Sequence, residues 1–234
     1  MPSVEEELAR RLAAGEEVVL ATVIKLDGEP PSQSGAKLLM VRGASLAGTL
    51  GCSEFDSAAL ADSAWIAEAG APQVRTYRHD LGSIDVYVEP YPAAPILVVF
   101  EATPVAQALV RWAPEVGFRT LLVEKLADLP AALGGELYVV HTNHDAEDLV
   151  QALEKVLPRK PRFIGLVGSR RHTGHHLDAL RAKGVPEDVI ARIQSPVGLD
   201  LGARTPAEIA LSILAGLVAV RRGAEAGWKN HPGC

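Results

Sequence analysis

The chain has 234 residues, 48% apolar and 22% charged, which provides for one large domain or two small ones with real cores and excludes a disordered chain. Lys and Arg number 23 against 29 Asp and Glu, a formal charge of −6 that excludes nucleic-acid binding as the main task, since neutralising a phosphate backbone needs a basic face. Two cysteines, Cys52 and Cys234, cannot form a disulfide framework, and their number fits a reducing cytoplasm.

Residues 2–7, Pro-Ser-Val-Glu-Glu-Glu, are acidic where a signal peptide is basic and then apolar. Ser3 with Glu6 three positions on is a capping-box signature, predicting a helix over 4–14 that Gly15 stops. Glu17 to Leu26 reads as a buried strand, and Asp27 to Gly35 as a breaker-rich loop. Short strands are expected at 36–41, 45–50, 73–79 and 83–89, with a helix from Phe55 to Ala69. This first part reads as a small α+β domain, 1–92. It ends in Glu89-Pro90-Tyr91-Pro92-Ala93-Ala94-Pro95, three prolines in seven positions, which reads as a linker because such a stretch cannot continue a helix or a central strand.

From residue 93 the periods alternate. Ile96 to Phe100 is a five-residue apolar run of the kind buried on both faces of a parallel sheet. A helix over 104–116 carries Val105, Ala106, Leu109, Trp112, Ala113 and Val116 on one stripe. Strands follow at 119–123, 137–141 and 162–167, with helices near 145–157 and 170–183. Thr205-Pro206-Ala207-Glu208 opens a last helix with an N-cap, a first-turn proline and a capping-box acid. Its body, Ile209 to Val220, is apolar nearly all round, which predicts burial in the core or in a subunit contact. It is about half as long as a membrane span. The fold class is α/β: a doubly wound, Rossmann-like parallel sheet over 93–234 behind the smaller N-terminal domain.

Ligands of such a sheet bind beyond the C-terminal ends of its strands. At the first of these turns a dinucleotide wants glycines, so that backbone NH groups approach the pyrophosphate; here stand Glu101 and Thr103, and a carboxylate repels phosphate. NAD binding there is therefore not expected. Gly168-Ser169-Arg170-Arg171 is a better anion turn, with a strand end, helix NH groups and two guanidinium groups. Gly202, Ala203 and Arg204, closing the glycine-rich loop that starts at Ile193, repeat the pattern; solvated arginines on a tight turn are the bland alternative. His172 and His176 have the i, i+4 spacing that a zinc site can use, and His141 and His144 form a second group. His144-Asp145 stands at a strand end, as a functional pair or as a cap. Cys52, between a glycine turn and a helix start, is either an activated thiolate and soft-metal ligand or a small packed residue. Cys234, the last residue, is expected to be loosely held.

These residues resemble the xanthine dehydrogenase accessory factors of the XdhC/CoxI type. The resemblance is strongest in Phe163 to Arg171 and in the long run Ser195-Pro196-Val197-Gly198-Leu199-Asp200-Leu201-Gly202-Ala203-Arg204-Thr205-Pro206-Ala207-Glu208. Ala21-Thr22-Val23, Gly35-Ala36-Lys37 and Gly48-Thr49-Leu50-Gly51 are similar to that family's N-terminal domain, and Thr142 to Asp145 to a strand-end segment of its second. Two departures stand out. The family's Gly-Ala-Gly-His turn is Glu101-Ala102-Thr103-Pro104 here, and its glycine triplet before a cysteine is shortened to Gly51-Cys52. The resemblance implies a cofactor chaperone more than a catalyst. Such a protein binds molybdenum cofactor as cargo, supports its sulfuration with a cysteine desulfurase and delivers it to a molybdenum hydroxylase. Cargo contacts are expected at Gly168, Ser169, Arg170, Arg171, Gly202, Arg204, His144 and Asp145, with Cys52 as a metal ligand, in a homo-oligomer. The alternatives are an NAD(P)-type oxidoreductase on the same fold, or a divergent paralogue acting only as a protein-interaction partner.

Overall fold

The computed structural model describes residues 2–41, 43–133 and 135–227; Cys234 lies outside them. The chain divides into two compact units, Met1–Ala94 and Pro95–Cys234.

In the first unit α1 (Val4–Ala13) opens with the Ser3/Glu6 capping box. Five strands then form an antiparallel sheet: β1 (Val18–Gly28), β2 (Lys37–Val41), β3 (Ala44–Gly48), β4 (Gln73–His79) and β5 (Gly82–Tyr91), in the order β3-β2-β1-β5-β4. Alternate residues of these strands, among them Val19, Ala21, Val23, Ile84, Val86 and Val88, form one core with Phe55, Ala59 and Ile66 of α2 (Ser53–Ala69). That is the period-two pattern of a sheet with one covered face.

Two sequence expectations shift here. β1 runs on to Gly28, exposed from Ile24 onward, because β5 continues to pair with it through Gly82. β5 itself reaches Tyr91 and contains Pro90. The β4 ladder has ended at Val88, so Pro90 has a neighbour on one side only, the edge-like setting that a proline tolerates.

The second unit alternates strand and helix: β6 (Ile96–Phe100), α3 (Pro104–Trp112), β7 (Arg119–Val123), β8 (Leu137–His141), α4 (Leu149–Val156), β9 (Phe163–Leu166), α5 (Arg170–Ala182), α6 (Glu187–Ile190), β10 (Ile193–Gln194) and α7 (Pro206–Arg222). The sheet is parallel in the order β10-β9-β8-β6-β7. One face (Val98, Phe100, Val139, Ile164) packs on Leu149, Leu153 and Leu180 of α4 and α5; the other (Leu97, Val99, Tyr138, Val140) packs on Leu109 of α3 and on Ile213 and Leu217 of α7. This is a doubly wound Rossmann-like sheet, and its winding reverses between β6 and β8, where a crevice opens beyond the strand ends.

The glycine-rich stretch expected to be all loop contains β10, whose two residues and four-residue lead-in helix are too short to give a periodic signal. α7 is not enclosed on every side, since Leu211 is 55% exposed while Ala210, Ile213 and Leu217 are buried. Among the described residues no helix is long and apolar enough to cross a membrane.

Gly165 in β9 lets the loop after β10 seat on the sheet. A Cβ there would lie 2.2 Å from Val197 Cγ2 and 2.9 Å from Phe163 Cε1. Gly165→Ala is therefore expected to overpack this seam and cost about 1–3 kcal/mol, read by denaturant unfolding of the full chain.

Candidate functional site

Beyond the C-terminal ends of β9 and β10 lies an open cleft of about 590 Å³, lined by Val167, Gly168 and Ser169 on one side and by Pro196 through Ala203 on the other, with Ile209 and Ser212 of α7 behind. Hydrogen bonds hold its two walls together. The Val197 amide donates to the Leu166 carbonyl at 3.0 Å, and the buried hydroxyls of Ser195 and Thr173 meet at 2.6 Å. The structure thus brings the Gly168–Ser169 turn and the Gly202 loop into one cleft.

The two walls differ in what their amides can do. At α7, Glu208 Oε2 accepts the amides of Arg204 (2.8 Å) and Thr205 (2.9 Å), so these donors of the second loop are occupied by the protein itself. At α5, Ser169 is the N-cap residue but makes no side-chain cap; its hydroxyl lies 3.2 Å from His172 Nδ1 instead. The amides of Arg170 and Arg171 are therefore left without a side-chain cap at the positive end of the helix dipole, while the His172 amide donates to the Ser169 carbonyl at 2.8 Å. Arg170 Nε donates to the Ser195 carbonyl at 3.2 Å, which ties it to the cleft wall, while the Arg171 side chain is exposed and Arg204 is exposed outside the cleft lining.

His144 packs against this turn. Gly168 has φ +136, and a Cβ on it would fall 3.0 Å from His144 Cβ, so a glycine is required both by backbone and by space. The His144 ring stacks on His172 with centroids 5.0 Å apart, and its Nε2 lies 3.7 Å from the exposed Asp145 carboxylate. His176 is buried with Nε2 2.7 Å from the His144 carbonyl. The helical pair His172 and His176 is thus engaged with two different parts of His144.

The crevice between β6 and β8 holds a second constellation. Thr103 caps α3 by accepting the Ala106 amide, Pro104 fills the first helical position, and the Thr103 hydroxyl donates to Thr142, which donates to the Phe100 carbonyl. The first Rossmann turn is therefore closed by its own side chains. Next to it, ligand-capable atoms of Glu101, His141 and Asp148 all lie within 4.8 Å of one another. Glu101 has φ +71, a left-handed conformation that costs a residue with a Cβ about 1 kcal/mol or more. His141 stacks on Phe100, is 1% exposed and has a buried Nε2 with no partner among the described residues. Burial pushes its imidazole down to about 4, against the opposing pull of Asp148, so it is neutral at pH 7. Sequence reading grouped His141 with His144 and gave it no role. The available signal was a histidine ending a strand of otherwise apolar residues, followed seven positions later by the acid that precedes α4.

Cys52 belongs to the N-terminal unit. It is half-buried against the core of that unit and is the N-cap residue of α2, without a side-chain cap. Asp56 fixes the turn before it by accepting the Leu50 amide at 2.7 Å and the Thr49 hydroxyl at 2.8 Å.

Residues 97–217 match the family model described as the XdhC Rossmann domain, and residues 11–78 match the XdhC and CoxI family. Among curated proteins, the chain is 27% identical over 249 aligned positions to uncharacterized protein YqeB of Escherichia coli (strain K12), covering 91% of this chain and 45% of YqeB. It is 27% identical over 126 residues to the molybdenum cofactor insertion chaperone PaoD of the same organism, covering 53% of this chain and 40% of PaoD. The chain spans less than half the length of these curated relatives. A solved structure described as a xanthine dehydrogenase from Bacillus halodurans aligns over 96% of this chain and 97% of that chain, with 20% identity and a TM-score of 0.49.

Two outcomes are expected from this geometry. Cys52→Ser gives α2 the hydroxyl cap it lacks, so the thermal midpoint should hold or rise, by up to about 1 kcal/mol in stability. A fall in the midpoint would mean that the thiol is instead needed for packing. For His141 the unfolded imidazole titrates near 6.5 and the folded one near 4, so between these values the unfolded chain binds the extra proton. Stability should therefore fall as pH drops from about 6.5 to about 4, by about 3 kcal/mol, and level off below. Urea unfolding in EDTA across this window, compared with His141→Gln, isolates that share.

Proposed function

The chain belongs to the XdhC family, and we propose that within it this protein is an accessory factor that binds molybdenum cofactor as cargo and hands it to a molybdenum enzyme of the xanthine dehydrogenase type. The observation that carries the reading is the cleft: two loops meet there over the uncapped start of α5. A pterin with a phosphate tail is a flat, polar, anionic cargo. The open amides of α5, with Arg171 beside them, suit its phosphate, and the Pro196–Ala203 wall suits a planar ring. The similarity to PaoD, a molybdenum cofactor insertion chaperone, supports the same assignment.

On this reading the protein's work is binding, shielding and release, and no bond need be made or broken. Ser169, Arg170 and Arg171 hold the phosphate end, His144 and Asp145 flank the turn, and Gly202 leaves the opposite wall open. Arg204, whose amide is committed to Glu208, contributes charge near the entrance. Cys52, on the N-terminal unit, is proposed separately as a soft sulfur ligand for molybdenum. Sulfuration by a cysteine desulfurase while the cargo is held, and a second copy of the chain as partner, complete the proposal.

The test is the cofactor content of protein purified from cells that make molybdenum cofactor, measured as molybdenum and as the oxidised pterin. Charge-assisted bonds to a phosphate contribute about 1.5–3 kcal/mol each. Arg170→Gln with Arg171→Gln should thus lower retention by at least about tenfold with the chain still folded, the loss of the Arg170–Ser195 hydrogen bond lowering the thermal midpoint only slightly. Undiminished retention would remove the phosphate from this turn, and a wild-type protein that carries no pterin would overturn the reading.

A further inference from the structure

We propose that Glu101, His141 and Asp148 form a binding site for one divalent first-row transition cation at the β6/β8 crevice. The inference does not rest on the cargo reading, since none of the three residues lines the cleft described above. Three separate pieces of the chain deliver them: the turn after β6, the last residue of β8 and the residue preceding α4. Their candidate ligand atoms lie within 4.8 Å of one another. Metal bonds of about 2.0–2.2 Å place tetrahedral donors roughly 3.3–3.6 Å apart, so modest side-chain rotation closes the set.

His141 supplies the independent reason to expect a ligand. Its ring is 1% exposed, and its Nε2 is buried with no hydrogen-bond partner among the described residues, while Nδ1 meets only the Asn143 amide at a long 3.4 Å. Buried polar atoms in folded proteins almost always have partners. An imidazole left this way beside two carboxylates is half-way to coordination. The donor chemistry selects the ion: one imidazole with two carboxylates suits Zn²⁺ or Mn²⁺, whereas a soft ion would want thiolate. Two carboxylates balance the charge of a divalent cation, and three protein donors leave positions open to the crevice.

The test uses the full chain, stripped with chelator and titrated with Zn²⁺ and with Mn²⁺ by calorimetry and thermal melting. About one equivalent of at least one ion should bind and raise the midpoint, and Glu101→Gln or Asp148→Asn should weaken binding by about tenfold or more. Glu101→Gly guards against a folding artefact. Its backbone conformation suits glycine, so the metal-free midpoint should hold or rise while the metal-induced shift disappears. His172→Gln with His175→Gln tests the exposed histidines of α5 as the competing site and should leave the binding intact. The proposal is overturned if neither ion binds saturably, if Glu101→Gly binds as tightly as the parent, or if the α5 variant alone abolishes binding.

Discussion

All ten side chains of β6 and β8 are buried, and both strands are covered by helices on both faces. A parallel sheet closed in this way has no surface on which to place chemistry along its length. Polar groups that must meet a ligand can stand only beyond the last strand residues, and there the reversal of winding keeps the helices from closing over them. The cleft at Gly168 and the constellation at Glu101 are two results of that one constraint. His141, the last residue of β8, serves both regions: its carbonyl accepts the Val167 amide at the cleft wall, and its ring faces the crevice.

Which strand end receives an anion is decided by what already occupies the helix amides. Thr103 with Pro104 closes the start of α3, and the Thr205/Glu208 box closes α7. Only a helix whose cap is missing has donors to offer; α5 begins without one, and α4, also without a side-chain cap, begins at Asp148, whose carboxylate repels an anion. The sequence pattern therefore overstates the second anion turn. Glycines and Arg204 suggest donors there, but Glu208, read correctly as a capping-box acid, takes the amides of Arg204 and Thr205. Both readings were available from the same residues, and capping decides because an intramolecular carboxylate is always present at its acceptor position.

Strong local signals carried most of the architecture. Five-residue apolar runs, the Ser3 and Thr205 capping boxes and the amphipathic stripe of α3 gave elements that the structure contains within a few residues. Elements that depend on tertiary pairing were not legible. β10 exists because Ile193 and Gln194 pair with Ile164 and Gly165, and Pro90 stays in β5 because a neighbouring strand has ended. The cleft residues could be named from glycines, arginines and helix starts. The Glu101–His141–Asp148 group could not, because its members are separated by 40 and then 7 positions and meet only once β6 and β8 lie side by side.

Glu101 ties these observations together. Read against a dinucleotide, it is a defect, a carboxylate where a phosphate would go. In the structure the same residue occupies a left-handed backbone position that favours glycine, at the mouth of a crevice that also contains an acid and an imidazole whose Nε2 has no hydrogen-bond partner among the described residues. Left without a counter-ion, two carboxylates there would repel each other and any anion approaching the sheet edge. With a divalent cation between them the local charge becomes neutral, and the edge of the sheet is electrostatically open to the anionic cargo proposed for the neighbouring cleft. A glutamate at this turn suits a cation where the glycine of a dinucleotide turn would suit a phosphate, and Thr103 and Pro104 start α3 beside it.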